Sequence, residues 1–367
     1  MIYLKVQTVE GFMASLIFKR SVKIAFAFLL ASCASKPTPH QVQYSNNSTQ
    51  QSTAPSLSLP VNKPIQQYSG SQAKAPYSSS YEALMLTGTY ARSPAVKNFI
   101  QYMVHKYGFS ETYLNGLFSR ANRLDSVIRL ESPAPYAGPS KPSLGSWTRY
   151  RNKFLTDAHI SNGVEFWRNN ADSIRMASST YGVDPEYIVG IIGVETYFGK
   201  NFGKTCIFDA LTTLSFDTQR RSKYFMSELE SFLLMTRDED FDPLQPQGSW
   251  AGAMGYGQFM PSSFRKLAVD FNNDGRRDLW HPKDAVGSVA HYFSRSGWQL
   301  HNPVTKRTTP ASDPAVIELS TYEGNEFWHI YPNFKVIKKY NNSNKYAMAV
   351  HQLAQAIKLR YLQTYPG

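Results

Sequence analysis

The run Asp184-Pro185-Glu186-Tyr187-Ile188-Val189-Gly190-Ile191-Ile192-Gly193-Val194-Glu195 restricts this chain more than any other stretch, because it reads as a helix whose core-facing stripe contains an acid. Asp184 reads as an N-cap, Pro185 as the first helical residue and Glu186 as a charge that suits the N-terminal dipole. Ile188, Ile191, Ile192 and Glu195 then fall at i, i+3, i+4 and i+7, so Glu195 shares the face that turns to the core. An ionised, unpaired carboxylate is costly there. Burial raises its pKa and leaves it protonated near neutrality, the state a general acid needs. The alternative is a Glu satisfied by a buried Arg or a backbone amide, and the run by itself leaves both open.

A chain of 367 residues with 42% apolar and 14% aromatic content holds enough apolar surface for one large or two ordinary domains. Its first residues are of another kind. Lys19, Arg20 and Lys23 precede the apolar run Ile24 to Ala31, too short to span a bilayer, which ends in Leu30-Ala31-Ser32-Cys33. Residues 1–32 read as a secretory signal, with Met13 as an alternative start. The Leu-Ala-Ser-Cys ending resembles the bacterial lipoprotein box, which implies that Cys33 carries lipid and becomes the mature N-terminus. Loss of residues 1–32 lowers the net charge from +12 to +9. In an exported chain that basic balance points to an anionic envelope component and to no nucleic acid. Cys206 is then the one cysteine left, so no intrachain disulfide is possible. Residues 33–80 are rich in Ser, Gln, Thr, Asn and Pro and read as a flexible tether behind the lipidated Cys.

The remainder predicts a mainly α (α+β) fold. Helices are expected from Pro94 to Lys106 after the N-cap Ser93, Glu111 to Arg123 after Ser110, Ser146 to Thr156, and Val164 to Tyr181. Further ones are expected over Gln219 to Arg237, Asp284 to Ser296, and from an Asn344 cap through Tyr361. Val316 to Tyr322, Phe327 to Tyr331 and Phe334 to Tyr340 are β-branched and aromatic and read as short strands, with Gly324-Asn325 as a turn.

Two motifs separated by about 50 residues tell more. Glu195 is followed by Thr-Tyr-Phe-Gly, and Gly248-Ser249-Trp250-Ala251-Gly252-Ala253-Met254-Gly255-Tyr256-Gly257-Gln258-Phe259-Met260-Pro261 is glycine-dense enough to let backbone approach a ligand closely. Together they resemble the lysozyme-like lytic murein transglycosylases, and most closely the membrane-bound lytic transglycosylase B family, from about residue 84 to the C-terminus. The resemblance implies a lysozyme-like catalytic core over 159–297, a helical region of 81–158 and 345–367 packing on it, and a small β segment over 298–344. It makes Glu195 the sole catalytic acid/base. Arg220, Arg221, Ser249 and Gln258 match the family's cleft contacts, and Tyr150, Tyr292, Tyr340, Asn341 and Tyr346 match further groove positions.

Asp270-Phe271-Asn272-Asn273-Asp274-Gly275 carries oxygen ligands at positions 1, 3 and 5 with Gly at 6, the order of an EF-hand loop, although position 12 is His281. The family's longer loop takes its late carboxylate three residues on. The resemblance thus implies Asp270, Asn272, Asp274, the carbonyl of Arg276, and Asp284 as ligands of a structural Ca²⁺, with Na⁺ as the alternative and no cofactor for catalysis.

By resemblance the expected activity is cleavage of the β-1,4 bond between N-acetylmuramic acid and N-acetylglucosamine in peptidoglycan, leaving 1,6-anhydromuramic ends. The expected setting is a monomer lipid-anchored on the periplasmic face of the Gram-negative outer membrane. The rivals are a hydrolytic muramidase and a non-catalytic wall-binding lipoprotein. A two-carboxylate hydrolase holds its acids roughly 5 to 9.5 Å apart. Asp184 and Glu186 lie about 16 and 13 Å from Glu195 along the helix, which excludes them, whereas Asp209 and Asp217 stay open.

Overall fold

A computed structural model describes residues 81–132 and 143–366; the expected signal, Cys33 and tether lie outside these residues. The chain opens with α1 (Pro94–Tyr107), α2 (Glu111–Ser119), α3 (Asp125–Glu131) and α4 (Ser146–Arg151), followed by α5 (Asp157–Asn169), α6 (Ala171–Tyr181) and α7 (Pro185–Thr196). Next come β1 (Thr205–Cys206), α8 (Ile207–Phe216), α9 (Ser222–Asp238), β2 (Gln247–Gly248), α10 (Pro261–Leu267) and α11 (Pro282–Arg295). The chain closes with β3 (Thr305–Thr308), β4 (Val316–Ser320), β5 (Asn325–Ile330), α12 (Pro332–Tyr340) and α13 (Asn344–Thr364). Among the described residues no helix is long and apolar enough to cross a membrane.

The core is built around α7, which contacts α5, α6, α11 and α13. Every residue from Tyr187 to Gly193 is buried, so the helix is enclosed on all sides and has no polar stripe. Gly193 permits part of this enclosure, since a Cβ there would stand 2.6 Å from the Phe198 ring and 3.0 Å from Leu353 of α13. Each Ile so enclosed contributes about 1.5–3 kcal/mol relative to exposure. A second cluster is formed by α8 against α9 and α3, with α10 on α9. The late strands form an antiparallel sheet in the order β3-β5-β4, with Trp328 of β5 opposite Arg307 and Ile317, and β4 reaches α4.

Several sequence expectations need correction. Phe334–Tyr340 is helix α12 rather than strand: Pro332 occupies the first turn, Phe334 and Ile337 are buried, and Lys335, Lys338 and Lys339 form the outward stripe at i, i+3 and i+4. The helix expected up to Arg123 stops at Ser119: the amides of Arg120 and Ala121 turn back to carbonyls only three residues earlier, and beyond them Asn122 N is taken by Asp209 and Leu124 N by the Thr213 hydroxyl. The run Val164 to Tyr181 is two helices broken at Asn170. The cap of α13 is Ser343, whose hydroxyl accepts from Tyr346 N, rather than Asn344. Asp184 has N-cap backbone geometry, yet its side chain makes no cap bond. It accepts instead from Trp298 Nε1 at 2.9 Å and from the amide and Nδ1 of His301.

Candidate active site

Glu195 lies in the last turn of α7, 6% exposed. The helix stops just beyond it because Tyr197, Phe198 and Gly199 all adopt positive φ, at 52°, 59° and 84°. Two non-glycine residues in that region hold strain that the surroundings must fix. Thr196 supplies part of the fixing: its hydroxyl lies 3.0 Å from the Tyr256 carbonyl and accepts from Gly199 N at 3.1 Å, which ties the end of α7 to the glycine-rich loop. His159, buried on α5, lies 3.0 Å from the Gly193 carbonyl through Nε2 and packs edge-on against Tyr197.

What holds the acid is a phenol rather than a cation. Tyr346 Oη donates to Glu195 Oε1 at 2.5 Å, and no Lys, Arg or His among the described residues pairs with it. Burial pushes the Glu195 carboxyl up to about 7, against the opposing pull of the Tyr346 hydrogen bond. The arrangement therefore keeps a proton near neutrality and has a donor ready to stabilise the carboxylate once that proton leaves.

Four tyrosines from four helices surround this group: Tyr150 of α4, Tyr292 of α11, Tyr340 of α12 and Tyr346 of α13. The charge of Glu195 adds to burial in raising the hydroxyl pKa of each, to about 12 for Tyr150 and Tyr292. Tyr292 and Tyr340 have ring centroids 4.6 Å apart, and both lie against Phe259. Tyr340 Oη donates to the Gly257 carbonyl at 2.6 Å, which brings the glycine-rich loop to the same place.

Inside that loop, β2 pairs with β1, and Met254 bridges Gly248 and Phe259. Gly255 has φ 64°, and a Cβ on it would stand 2.3 Å from the Leu279 carbonyl, which also accepts from Tyr256 N. Ser249 Oγ accepts the amides of Ala251 and Ala253, so this hydroxyl shapes the turn. Gln258, at φ 51° and 6% exposed, donates through Nε2 to the carbonyls of Phe202 and Gly255. Its Oε1 is buried without a hydrogen-bond partner among the described residues. Asn341 is half-buried at the end of α12.

The arginines stand apart from this cluster. Arg220 and Arg221 both bond to Glu131 of α3, whereas the hydrogen bond to Glu195 comes from Tyr346. Sequence reading missed Glu131, Thr196 and His159; for Thr196 the signal lay in the Glu-Thr-Tyr-Phe-Gly helix stop, and for the other two no local pattern exists. The two aspartates left open are occupied. Asp209 accepts from the amide and Nδ2 of Asn122, and Asp217 accepts from Tyr90 Oη and Arg123 Nε. Other buried acids are also engaged, Glu186 by Lys358, Glu228 by Ser262 and Glu239 by Arg277.

In the loop after α10, Asp270 accepts from the amides of Asp274 and Gly275, Asn272 Oδ1 from Asp274 N, and Asp274 from Arg276 N. Asp284, fully buried, accepts from the amides of Phe271, Asn272 and Asp278. Burial pushes its carboxyl up, and no cationic side chain bonds to it. The donors are all hard oxygens, which suits a hard cation. Among the described residues no three His, Cys, Asp or Glu side chains are placed to share one ion.

The family model described as transglycosylase SLT domain matches residues 91–315 and 304–355. The membrane-bound lytic murein transglycosylase B of Escherichia coli strain K12 is 42% identical over 369 residues, covering 91% of this chain and 96% of the relative. The structure of the Escherichia coli lytic transglycosylase Slt35 in complex with calcium is similar at TM-score 0.70 and 44% identity, covering 76% of this chain and 97% of that one. The same protein has been solved in complex with bulgecin A, with the same coverage and score. SltB3 of Pseudomonas aeruginosa in complex with NAG-NAM-pentapeptide is similar at TM-score 0.64 and 26% identity, covering 72% and 78%.

Proposed function

This chain belongs to the transglycosylase SLT family, and from that premise we propose how its buried acid cleaves peptidoglycan. The protein is a lytic transglycosylase acting on the β-1,4 bond between N-acetylmuramic acid and N-acetylglucosamine. The observation that carries the residue assignment is Glu195: buried, partnered by a phenol, and protonated up to about pH 7. Glu195 gives its proton to the leaving glycosidic oxygen. As carboxylate it then takes the proton of the muramic C6 hydroxyl while that oxygen closes on C1, which forms the 1,6-anhydro ring and restores the acid. Tyr346 stabilises the carboxylate between the two steps, and the 2-acetamido group of the same sugar stabilises the cationic carbon. Gln258 Oε1 accepts from a sugar N–H or O–H, and the aromatic rings lie against sugar faces. A zymogram of purified sacculi tests the enzyme against a wall-binding lipoprotein with the same groove. Clearing is expected, and its absence would leave binding alone.

The pH dependence follows from the direction of the shift. Above about 7 the Glu195 proton is lost, so kcat/KM is expected to fall as pH rises through that value. Tyr346→Phe removes a donor that favours the charged form. The alkaline limb should therefore move to higher pH, while kcat falls because the base is less well stabilised. Turbidity rates on sacculi from pH 5 to 9 measure both, and a limb displaced to lower pH would contradict the assignment.

Two features support the setting. The Escherichia coli relative is membrane-bound by name, and Cys33 followed by Ala34 suits a lipid anchor on the periplasmic face of the outer membrane. Cys33→Ser is expected to release the protein from membranes, and continued sedimentation would place the anchor elsewhere. Asp270, Asn272, Asp274, the Arg276 carbonyl and Asp284 would hold a structural Ca²⁺, or Na⁺ in its place, with the three aspartates drawing together around it, since they do not share one point in this structure; the calcium complex of Slt35 supports the reading. No step of the chemistry passes through it. Ca²⁺ at about 10⁻⁴ to 10⁻³ M should raise the Tm of the wild type and leave Asp274→Ala unmoved; equal responses would remove the site.

A further inference from the structure

Where α4 meets α13 and the β4–β5 hairpin, the protein carries positive charge that no acid balances. α4 packs on α13 and on β4, and the hairpin tip lies against its first turn. Gly145 N donates to the Thr321 carbonyl, and a Cβ on Gly145 would stand 2.1 Å from the Tyr322 ring. Arg149 is exposed, yet it is held in one place by neutral groups alone. Its Nη1 donates to the Leu144 carbonyl at 2.7 Å and to Tyr322 Oη at 3.4 Å, its Nη2 donates to Ser143 Oγ at 2.7 Å, and the guanidinium lies over the Tyr322 ring. These bonds leave Nε and one proton of Nη2, the donor pair that a carboxylate takes side-on. The second cation is Lys345, half-buried in the first turn of α13. Burial, and after it the charge of Arg149, lower the Lys345 pKa, so the two cations lie close enough to repel. Neither forms an ion pair among the described residues, in contrast to Arg123, Arg277 and Lys358. Glu323, at the hairpin tip, is exposed and forms none either. A half-buried ammonium beside a guanidinium costs free energy that a bound anion offsets. Each cation is next in sequence to a tyrosine of the Glu195 cluster, Arg149 to Tyr150 and Lys345 to Tyr346, so the pair stands at the edge of that cluster.

We propose that Arg149 and Lys345 form a carboxylate-binding site where α4 meets α13, which takes the acid carried on the C3 arm of a muramic acid. The inference rests on the glycan-cleaving reading above. That arm ends in a lactyl carboxylate on strands without peptide and carries stem-peptide carboxylates on strands that keep it. Both offer the same pair of oxygens to the guanidinium edge. Lys345→Met is the variant of choice, because Lys345 bonds to no other side chain among the described residues and Arg149 keeps its contacts with Tyr322. KM and kcat are compared for wild type and Lys345→Met on peptide-free strands, on uncross-linked strands with stem peptides, and on both after their carboxyls have been capped as methylamides. On uncapped strands KM should rise about tenfold, the size of one lost charge-assisted bond. On capped strands it should change less than about twofold, with kcat nearly constant throughout. A rise confined to the peptide-free strands assigns the lactyl carboxylate, and one confined to the peptide-bearing strands assigns the stem. A residue with a merely structural role would not distinguish capped from uncapped strands. An equal rise on both, an unchanged KM on all, or a loss confined to kcat would therefore overturn the site. Wild-type protein that cleaves none of these strands would overturn the glycan-cleaving reading itself.

Discussion

Glu195→Gln is expected to lower kcat/KM on sacculi by about 10³- to 10⁴-fold, since one side chain supplies both the proton for the leaving oxygen and the base for the ring closure. The amide keeps the volume and the contact with Tyr346, so the loss will not reflect misfolding. Stability should move the other way, and the sign follows from linkage. The folded-state pKa of Glu195 is raised from 4.5 to about 7. The native protein therefore holds a proton that the unfolded chain has lost across that interval, and wild-type stability falls as pH rises through it. Above pH 7 the cost is fully developed, at about 3 kcal/mol by the free energy per pKa unit. Below pH 4.5 it is absent. Chemical denaturation of both proteins at pH 4 and pH 8 measures it. The variant should match wild type at the lower pH and exceed it at the higher one. A variant less stable than wild type at pH 8 would mean that the carboxylate is satisfied by its surroundings, the structural role that the sequence left open.

That role could not be resolved from the sequence because the partner of Glu195 is remote. The burial of the acid was legible, since a Glu at i+7 from Ile188 falls on a core-facing position. The stripe was too narrow a reason, because α7 is buried on every side from Tyr187 to Gly193, although Val194 beside the acid is only half-buried. Tyr346 stands 151 residues away on α13, and the four tyrosines converge only because four helices meet. No local pattern announces that. The same holds for Glu131, which lies 89 residues before Arg220, so the paired arginines could be read as cleft residues but not as partners of a common acid. Where local rules failed, a competing interaction explains the failure. Asp184 has the residue type and backbone of a cap, but Trp298 and His301 claim its side chain. In Phe334–Tyr340 the aromatic and β-branched content suggested a strand, while the spacing of Lys335, Lys338 and Lys339 marked the solvent side of a helix. The Ser93 and Ser110 caps were legible because their bonds are local, each hydroxyl accepting an amide three residues on.

The second large effect concerns which nucleophile closes the reaction. A hydrolase would need another carboxylate within about 5 to 9.5 Å of Glu195. Asp209 and Asp217 are committed to Asn122, and to Tyr90 and Arg123, and the remaining buried acids are held by other partners. Glu195 is also the one carboxylate whose charge acts on the four tyrosines around it, and with a single acid there the C6 hydroxyl of the muramic acid is the better-placed nucleophile, because it is tethered to the reacting sugar and has a large effective molarity over water. Essentially every cut should therefore leave an anhydro end. Digestion of purified sacculi in H₂¹⁸O followed by mass spectrometry of the muropeptides tests this most directly. Ring closure by the C6 hydroxyl gives 1,6-anhydromuramic termini free of ¹⁸O at the cleaved bond, and reducing termini carrying ¹⁸O would contradict it.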